Sequence, residues 1–327
     1  MAGSPARRPP RLSVAIASYN HGRFLRENLD SLLGQTFQDF EIVVVDDGSS
    51  DGSLDILLEY ERRHPHLFRV LTHEGRRNLG MYATLNRAVR EGAGAYVAIQ
   101  GSDDVWLPEK LERQVSLLDA DPSVGAVYSQ AYLIDEDGRY LEQGGSRQIF
   151  GSGSEDLLRS LLAHNFVPAM TLVYRRSLLP DAPLFREDLL FADWDLNIRL
   201  AMRTRLVHMP SPLAKYRRHP AAATGVQAII RNGMAQRLAL TCVALGYAEV
   251  KQRRDYREIR AAVNRAAAEH ALYLAGLASE SGERKHVLRN LGWALRLRPL
   301  VLLERPREVL SPLRALLAAQ ERPRGFS

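Results

Sequence analysis

The sequence predicts an α/β protein: a mostly parallel sheet flanked by helices, followed by a C-terminal helical extension. Two observations carry this. Short apolar, β-branched runs alternate with amphipathic segments of helical period through about the first 200 residues, each run ending in polar turn residues. That is the grammar of strand–helix–strand units, in which parallel strands are joined by helices packed on either face. From Val226 onward the alternation stops and long helical patterns replace it.

Leu12 to Ala17 is the first apolar run and Glu41 to Val45 the second. Between them, Gly22 to Gly34 puts Phe24, Leu25, Leu29, Leu32 and Leu33 on one helical face. Leu54 to Tyr60 begins another helix, with Asp51 or Ser53 as its cap. Phe68 to Thr72 predicts a third strand, Thr84 to Glu91 a helix ending at Gly92, and Ala95 to Gln100 a fourth strand. Pro108 suits a first helical turn, so Glu109 to Asp119 is read as helix, and Gly125 to Asp135 as a strand entering an Asp-Glu-Asp-Gly turn. Residues 144–154, rich in Gly and Ser, predict a mobile loop. Helix returns over Glu155 to Ala163, strand over Met170 to Tyr174 and helix around Asp193 to Arg203; the tail repeats the helical pattern over Ile259 to Leu277 and Lys285 to Leu297. The expected division is a disordered N-terminus over 1–10, an α/β domain over 11–225 and a basic helical region over 226–327.

A chain of 327 residues with 46% hydrophobic and 25% charged residues can bury a sizeable core. The single Cys242 has no intramolecular disulfide partner, and no cysteine or histidine cluster has zinc-ligand spacing, which fits a reducing compartment. Met1 to Arg11 carries prolines and arginines without an apolar stretch, which predicts neither signal peptide nor anchor, and no run approaches the ~18 apolar residues of a spanning helix. The expected location is the cytoplasm, with peripheral contact at the inner face of the membrane as an extension of it. Charge is uneven: 26 basic residues stand against 29 acidic ones through residue 225, and 18 against 9 beyond it. Such a basic tail suits an anionic membrane, a lipid-phosphate acceptor or simply a solvated helical surface. Nucleic acid is disfavoured, because the tail has few aromatics and no recognised binding module.

Ligands of open α/β sheets gather beyond the carboxyl ends of the strands. Two of three acidic clusters stand there: Asp46-Asp47 and Ser102-Asp103-Asp104; the third is Asp193-Trp194-Asp195. Paired aspartates offer the oxygen ligands that a hard cation such as Mn²⁺ or Mg²⁺ needs while bridging to phosphates. Turn and helix-cap chemistry accounts for any one cluster taken alone.

Taken jointly, the clusters resemble a known family. Val14-Ala15-Ile16-Ala17-Ser18-Tyr19-Asn20, Gln35-Thr36-Phe37, and Phe40 through Val45 into Asp46-Asp47-Gly48-Ser49-Ser50-Asp51-Gly52-Ser53 are similar to family 2 of the inverting nucleotide-sugar glycosyltransferases. Asn78-Leu79-Gly80 with Asn86, Ser102-Asp103-Asp104-Val105-Trp106-Leu107-Pro108-Glu109-Lys110-Leu111, Asp193-Trp194-Asp195-Leu196 and Tyr216-Arg217-Arg218-His219 follow in the family's order. The resemblance spans roughly residues 11–225 and implies a Rossmann-like GT-A-type fold.

It further implies that Tyr19 stacks on a nucleobase, that Asp46 and Asp47 contact base and ribose, and that Asp103 and Asp104 hold a diphosphate through Mn²⁺ or Mg²⁺. Ala17, Asn78, Gly80, Asn86 and Ser102 fall with Asp103 on the donor side, and His219 matches a position near the metal. The implied reaction moves a sugar from a nucleoside-diphosphate donor to a glycan or lipid-linked acceptor hydroxyl. Asp193 is the expected base and Asp195 the second candidate. Two departures stand out: Gly101 occupies a position that is acidic in many relatives, and Ala192 precedes Asp193 where many have glutamate. The first leaves room for a catalytically weak, donor-binding scaffold subunit. A nucleotidyltransferase is disfavoured, since Ser13 to Gly34 lacks a Gly-rich phosphate loop with a basic residue. In the tail, Trp293, Leu295, Leu297, Leu300, Val301, Leu302 and Leu303 are interleaved with Arg289, Arg296, Arg298 and Arg305. That pattern suits an anionic lipid surface, packing on the α/β domain, or a second subunit in a homo-oligomer.

Overall fold

The computed structural model describes residues 8–141, 157–178, 183–219 and 226–318. An eight-stranded sheet runs in the order β3-β2-β1-β4-β7-β6-β8-β5. Its strands are β1 (Leu12–Ser18), β2 (Phe40–Asp46), β3 (Phe68–Thr72), β4 (Tyr96–Gly101), β5 (Val105–Trp106), β6 (Val124–Ile134), β7 (Val173–Arg175) and β8 (Arg205–Arg217). β1 pairs in parallel with β2 and β4, β2 with β3, and β6 with β8. β7 runs antiparallel between β4 and β6, and β5 antiparallel to β8. The predicted strand over Met170 to Tyr174 is thus half a 3₁₀ turn, Ala169–Thr171, and half β7. β8 was not legible in the sequence, because Pro210 and Pro212 interrupt it and its side chains alternate poorly; irregularities in its pairing with β6 absorb the prolines.

Helices α1 (Gly22–Leu33), α2 (Ser53–Arg63), α3 (Met81–Glu91), α4 (Lys110–Ala120), α5 (Leu157–Ala163) and α6 (Ala192–Arg203) connect the strands. α1 buries Phe24, Leu25, Leu29 and Leu32, four of the five residues expected on its inner face; Leu33 is only partly buried. β1, β2 and β4 are buried along almost their whole length, as strands covered on both faces must be. Under α4 lies a buried lysine: the Lys110 Nζ donates to Gln114 Oε1 at 2.8 Å and sits 3.9 Å from the Trp106 ring centroid, and burial pushes its amine well below the usual lysine range.

The helical tail contains α7 (Val226–Gly246), α8 (Ala248–Lys251), α9 (Tyr256–Glu280), α10 (Arg284–Leu297), α11 (Val301–Glu304) and α12 (Pro306–Ala318). The chain clusters into two compact units. One holds residues through 157 with 166–188 and 192–218; the other holds 158–165, 189–191 and the residues from 219 onward. The second has its own core, with Ile230, Met234, Leu272, Val287 and Leu291 at its centre. Among the described residues no helix is long and apolar enough to cross a membrane. Of the expected N-terminal segment over 1–10, Arg8 pairs with Asp39 at 3.2 Å, and residues 1–7 lie outside the described residues. So does the glycine- and serine-rich stretch 144–154.

Candidate active site

The sheet reverses its strand order at β1, with β2 on one side and β4 on the other. That reversal opens a crevice beyond the carboxyl ends of the strands, where ligands of such sheets bind. Ala17 lies in it, in register with Val45 and Gly101. The loops that follow β1 and β2 are laced together. Asn20, at φ +51°, accepts the Ser50 amide on its Oδ1 at 2.8 Å and donates its own amide to Ser49 Oγ at 3.0 Å. The Gly22 amide donates to Asp51 Oδ2 at 2.9 Å, and the His21 amide to Ser53 Oγ at 3.1 Å. Gly48 holds φ +78°, and a Cβ there would lie 2.5 Å from the Arg76 carbonyl, so only glycine fits.

Asp47 ties this rim to the segment entering α3. Its amide donates to the Ser18 carbonyl at 2.8 Å, and its carboxylate accepts the amides of Leu79 at 2.7 Å and Gly80 at 2.9 Å. His73 Nε2 stands 3.5 Å from the same carboxylate, and burial holds that imidazole below its ordinary range. Tyr19, Leu79 and Met81 are large apolar side chains exposed on this rim, 48% in the case of Tyr19; Asn78 is exposed beside them. Tyr82, two residues past Gly80, turns into the fold, stacks on Phe185 and accepts the Ala192 amide at 3.2 Å. Its hydroxyl donates to Asp193 Oδ1 at 3.5 Å, and burial drives its own pKa upward. Asp47, the α3 loop and half-buried Asp193 therefore form one continuous rim.

Across the crevice, the loop after β4 is held from beneath. Asn28 Nδ2 donates to the carbonyls of Gly101 and Asp104, both at 2.7 Å. The buried Arg217 donates its amide to Asp104 Oδ1 at 2.9 Å, its Nε to the Asp103 carbonyl at 2.8 Å and its Nη2 to Glu27 at 2.5 Å. A Cβ on Gly101 would lie 2.5 Å from Asp104 Oδ2 and 2.9 Å from Asp103 Oδ1. The missing carboxylate at that position thus has a steric reason: the two following aspartates fill its space. His21 Nδ1 meets Ser102 Oγ at 2.7 Å. His21 and Asp103 offer ligand atoms within 4.8 Å of one another; His219, expected near the metal, lies two residues beyond the end of β8 and is counted with the second unit. Of these groups the Asp103 carboxylate is the kind of oxygen ligand that a hard divalent ion such as Mn²⁺ or Mg²⁺ takes.

Four expected site residues are placed otherwise. Asp104, expected as a second metal ligand, turns inward at 3% exposure; burial first, and repulsion from Asp103 second, push its carboxyl well above the usual range. Asp46 is fully buried, with Oδ2 accepting the amides of Gly48 and Ser49, so it closes the turn rather than facing a base. Asn86 clamps the backbone of Phe185 at 2.8 and 2.9 Å and reaches Glu187. Asp195, the second candidate for the base, is fully buried in an ion pair with Arg199 at 2.8 Å. Sequence reading missed His21, Tyr82, Asn28 and Arg217. His21 directly follows a strand-end motif and could have been noticed; Arg217 stood inside the Tyr216-Arg217-Arg218-His219 motif without a role, and Asn28 had no local signal.

The sequence pattern of Glycosyl transferase family 2 matches residues 13–180, more than half of the chain. The chain belongs to glycosyltransferase family 2. An uncharacterized protein of Mycobacterium tuberculosis is 32% identical over 210 residues, 64% of this chain and 59% of that relative. An uncharacterized glycosyltransferase of Nostoc is 33% identical over 173 residues, 52% of each chain. The chain therefore spans between half and three fifths of the length of these curated relatives. Among solved structures, Staphylococcus aureus TarS bound to UDP-GlcNAc superposes with a TM-score of 0.65 at 18% identity, covering 97% of this chain and 94% of that one. The mannosyltransferase PcManGT from Pyrobaculum calidifontis, bound to GDP-Man and Mn²⁺, superposes at 0.59 with 21% identity, covering 96% and 87%. At those identities the likeness establishes the GT-A-type fold.

Proposed function

We propose that this glycosyltransferase moves a sugar from a nucleoside-diphosphate sugar to an acceptor hydroxyl with inversion, in the assembly of a bacterial surface polysaccharide or glycolipid. The observation that carries the reading is the continuous rim from Asp47 through Gly80 and Tyr82 to Asp193, facing Asp103 across the sheet's switch point. Residues 11–225 form the catalytic domain in this reading, and 226–327 the basic helical region.

Tyr19 offers a face on which a nucleobase can stack, and the loop around Asp47 the polar groups that meet base and ribose. A divalent cation held by Asp103, with His21 beside it, would supply positive charge against the diphosphate. Asn28 and Arg217 keep the Asp103 loop in place from below, so the site loses no energy in reorganising when charge develops. Asp193 takes the proton of the acceptor hydroxyl while that oxygen forms its bond to the anomeric carbon. The bond from carbon to the diphosphate oxygen breaks on the opposite face and its electron pair leaves with the nucleotide. Tyr82 orients the Asp193 carboxylate through Oδ1. UDP-GlcNAc and GDP-Man, the ligands of the two solved neighbours, are the first donors to test.

The decisive experiment screens a panel of nucleotide sugars with Mn²⁺ or Mg²⁺ for nucleotide release. It then compares Asp193→Asn with the parent chain on the active donor. Transfer should fall at least about a thousandfold, while donor affinity stays within about threefold. Unchanged turnover in the variant would remove Asp193 from the role, and no release from any donor would remove the reading itself.

A further inference from the structure

The carboxylate of Asp47 is buried, and among the described residues no lysine or arginine pairs with it. A buried charge of that kind depends on every hydrogen-bonding N–H within reach. Two are the amides of Leu79 and Gly80. The third is His73, whose Nε2 stands 3.5 Å from Asp47 Oδ1 and 2.9 Å from Thr84 Oγ1. His73 follows β3 directly and is itself only 6% exposed. Its other ring nitrogen faces α3, where Arg87 Nη1 stands 3.3 Å from His73 Nδ1 and donates to the Thr72 carbonyl at 2.7 Å. Thr84 and Arg87, three residues apart, turn one face of α3 toward the ring.

The contact with Arg87 decides where the ring proton sits. A guanidinium only donates, so Nδ1 meets Arg87 with its lone pair and the proton belongs to Nε2. The Nε2–H group then faces Thr84 Oγ1 and the Asp47 carboxylate. Burial, the largest influence, keeps the ring neutral; Asp47 and Asp46 pull against it, while Arg87 and Arg77 reinforce it. We infer that His73 is a positioning residue for nucleotide binding. Held in its Nε2–H form by Arg87, it backs the Asp47 carboxylate, which in turn fixes the amides of Leu79 and Gly80 and so the exposed Asn78 before them. The inference rests on the nucleotide-sugar reading above and adds to it a residue that acts through Asp47.

Calorimetry of the full chain with UDP and with GDP in Mn²⁺ tests it, beside nitrogen-15 spectroscopy of the imidazole rings. The His73 ring, assigned by the loss of its signals in His73→Gln, should carry its proton on Nε2 and none on Nδ1. His73→Leu removes both ring contacts, and His73→Asn keeps an acceptor toward Arg87 but loses the N–H toward Asp47. Each should weaken nucleotide binding at least about tenfold. His73→Gln places an amide N–H near the position of Nε2 and should stay within about threefold of the parent chain. Equal affinity in all three variants would overturn the inference. So would a glutamine variant as weak as the leucine one, because packing alone would then explain the loss. Where a variant melts early, the spectrum of the parent chain decides, and a proton on Nδ1 would overturn the inference as well. A parent chain that binds neither nucleotide would instead sink the nucleotide-sugar reading, and this inference with it.

Discussion

At the scale of single residues, glycine at 101 shows how an apparent loss can be a condition of the site. Asp103 and Asp104 both crowd the space a Cβ would take, at 2.9 and 2.5 Å, and Asp104 is fixed there by the Arg217 amide. Adding even a methyl group must displace one carboxylate, because distances under 3.0 Å cannot be tolerated. Gly101→Ala should therefore weaken Mn²⁺ binding by at least about tenfold in calorimetry or electron paramagnetic resonance, a cost of about 1.4 kcal/mol. Unchanged affinity would mean that the aspartates can part without cost and that the cation does not depend on their placement. Asp195 makes the complementary point: it shares a motif with Asp193, yet one helical position separates a half-buried carboxylate from one sealed against Arg199.

At the scale of elements, α9 carries a histidine whose environment makes the helical unit sensitive to acid. The His270 Nε2 is buried without a hydrogen-bond partner among the described residues. Burial first, then the nearby Arg237 and His164, push its pKa down to about 3 from an ordinary 6.5. The folded unit keeps the ring neutral while the unfolded chain takes up a proton below pH 6.5. The stability linked to that neutrality is therefore present above pH 6.5 and lost as pH falls toward 3, by at most about 1.4 kcal/mol per pH unit. His164, also lowered by burial, adds in the same direction. Thermal melts between pH 7 and 4 should show the midpoint falling, and His270→Leu should flatten that dependence; an equal slope in the variant would assign the acid sensitivity to other groups.

At the scale of the whole molecule, each of the two units has its own core. The proposed donor contacts belong to the sheet-bearing unit, where Asp47 and Asp103 stand at the ends of β2 and β4. A nucleoside diphosphate that binds only the folded state at a hundred times its Kd adds about 2.7 kcal/mol. Scanning calorimetry with UDP or GDP and Mn²⁺ should then raise the midpoint by several degrees, and EDTA should reverse most of the shift. No shift with either nucleotide, at millimolar concentration, would count against both as donors.

The sequence by itself determined the alternation of strands and helices, the helical tail and the family, because these rest on local periodicity and on contiguous motifs such as Val45-Asp46-Asp47-Gly48-Ser49. Pairing was a tertiary matter: antiparallel β7 and proline-broken β8 are strands only because partners distant in sequence complete their hydrogen bonds. The same holds within the site. Asp46 and Asp47 are neighbours in the chain, yet the fold buries one in its own turn and uses the other to hold the α3 loop. Whether a carboxylate faces ligand, backbone or arginine depends on burial and on groups tens of residues away, and neither is written into the local pattern of residues.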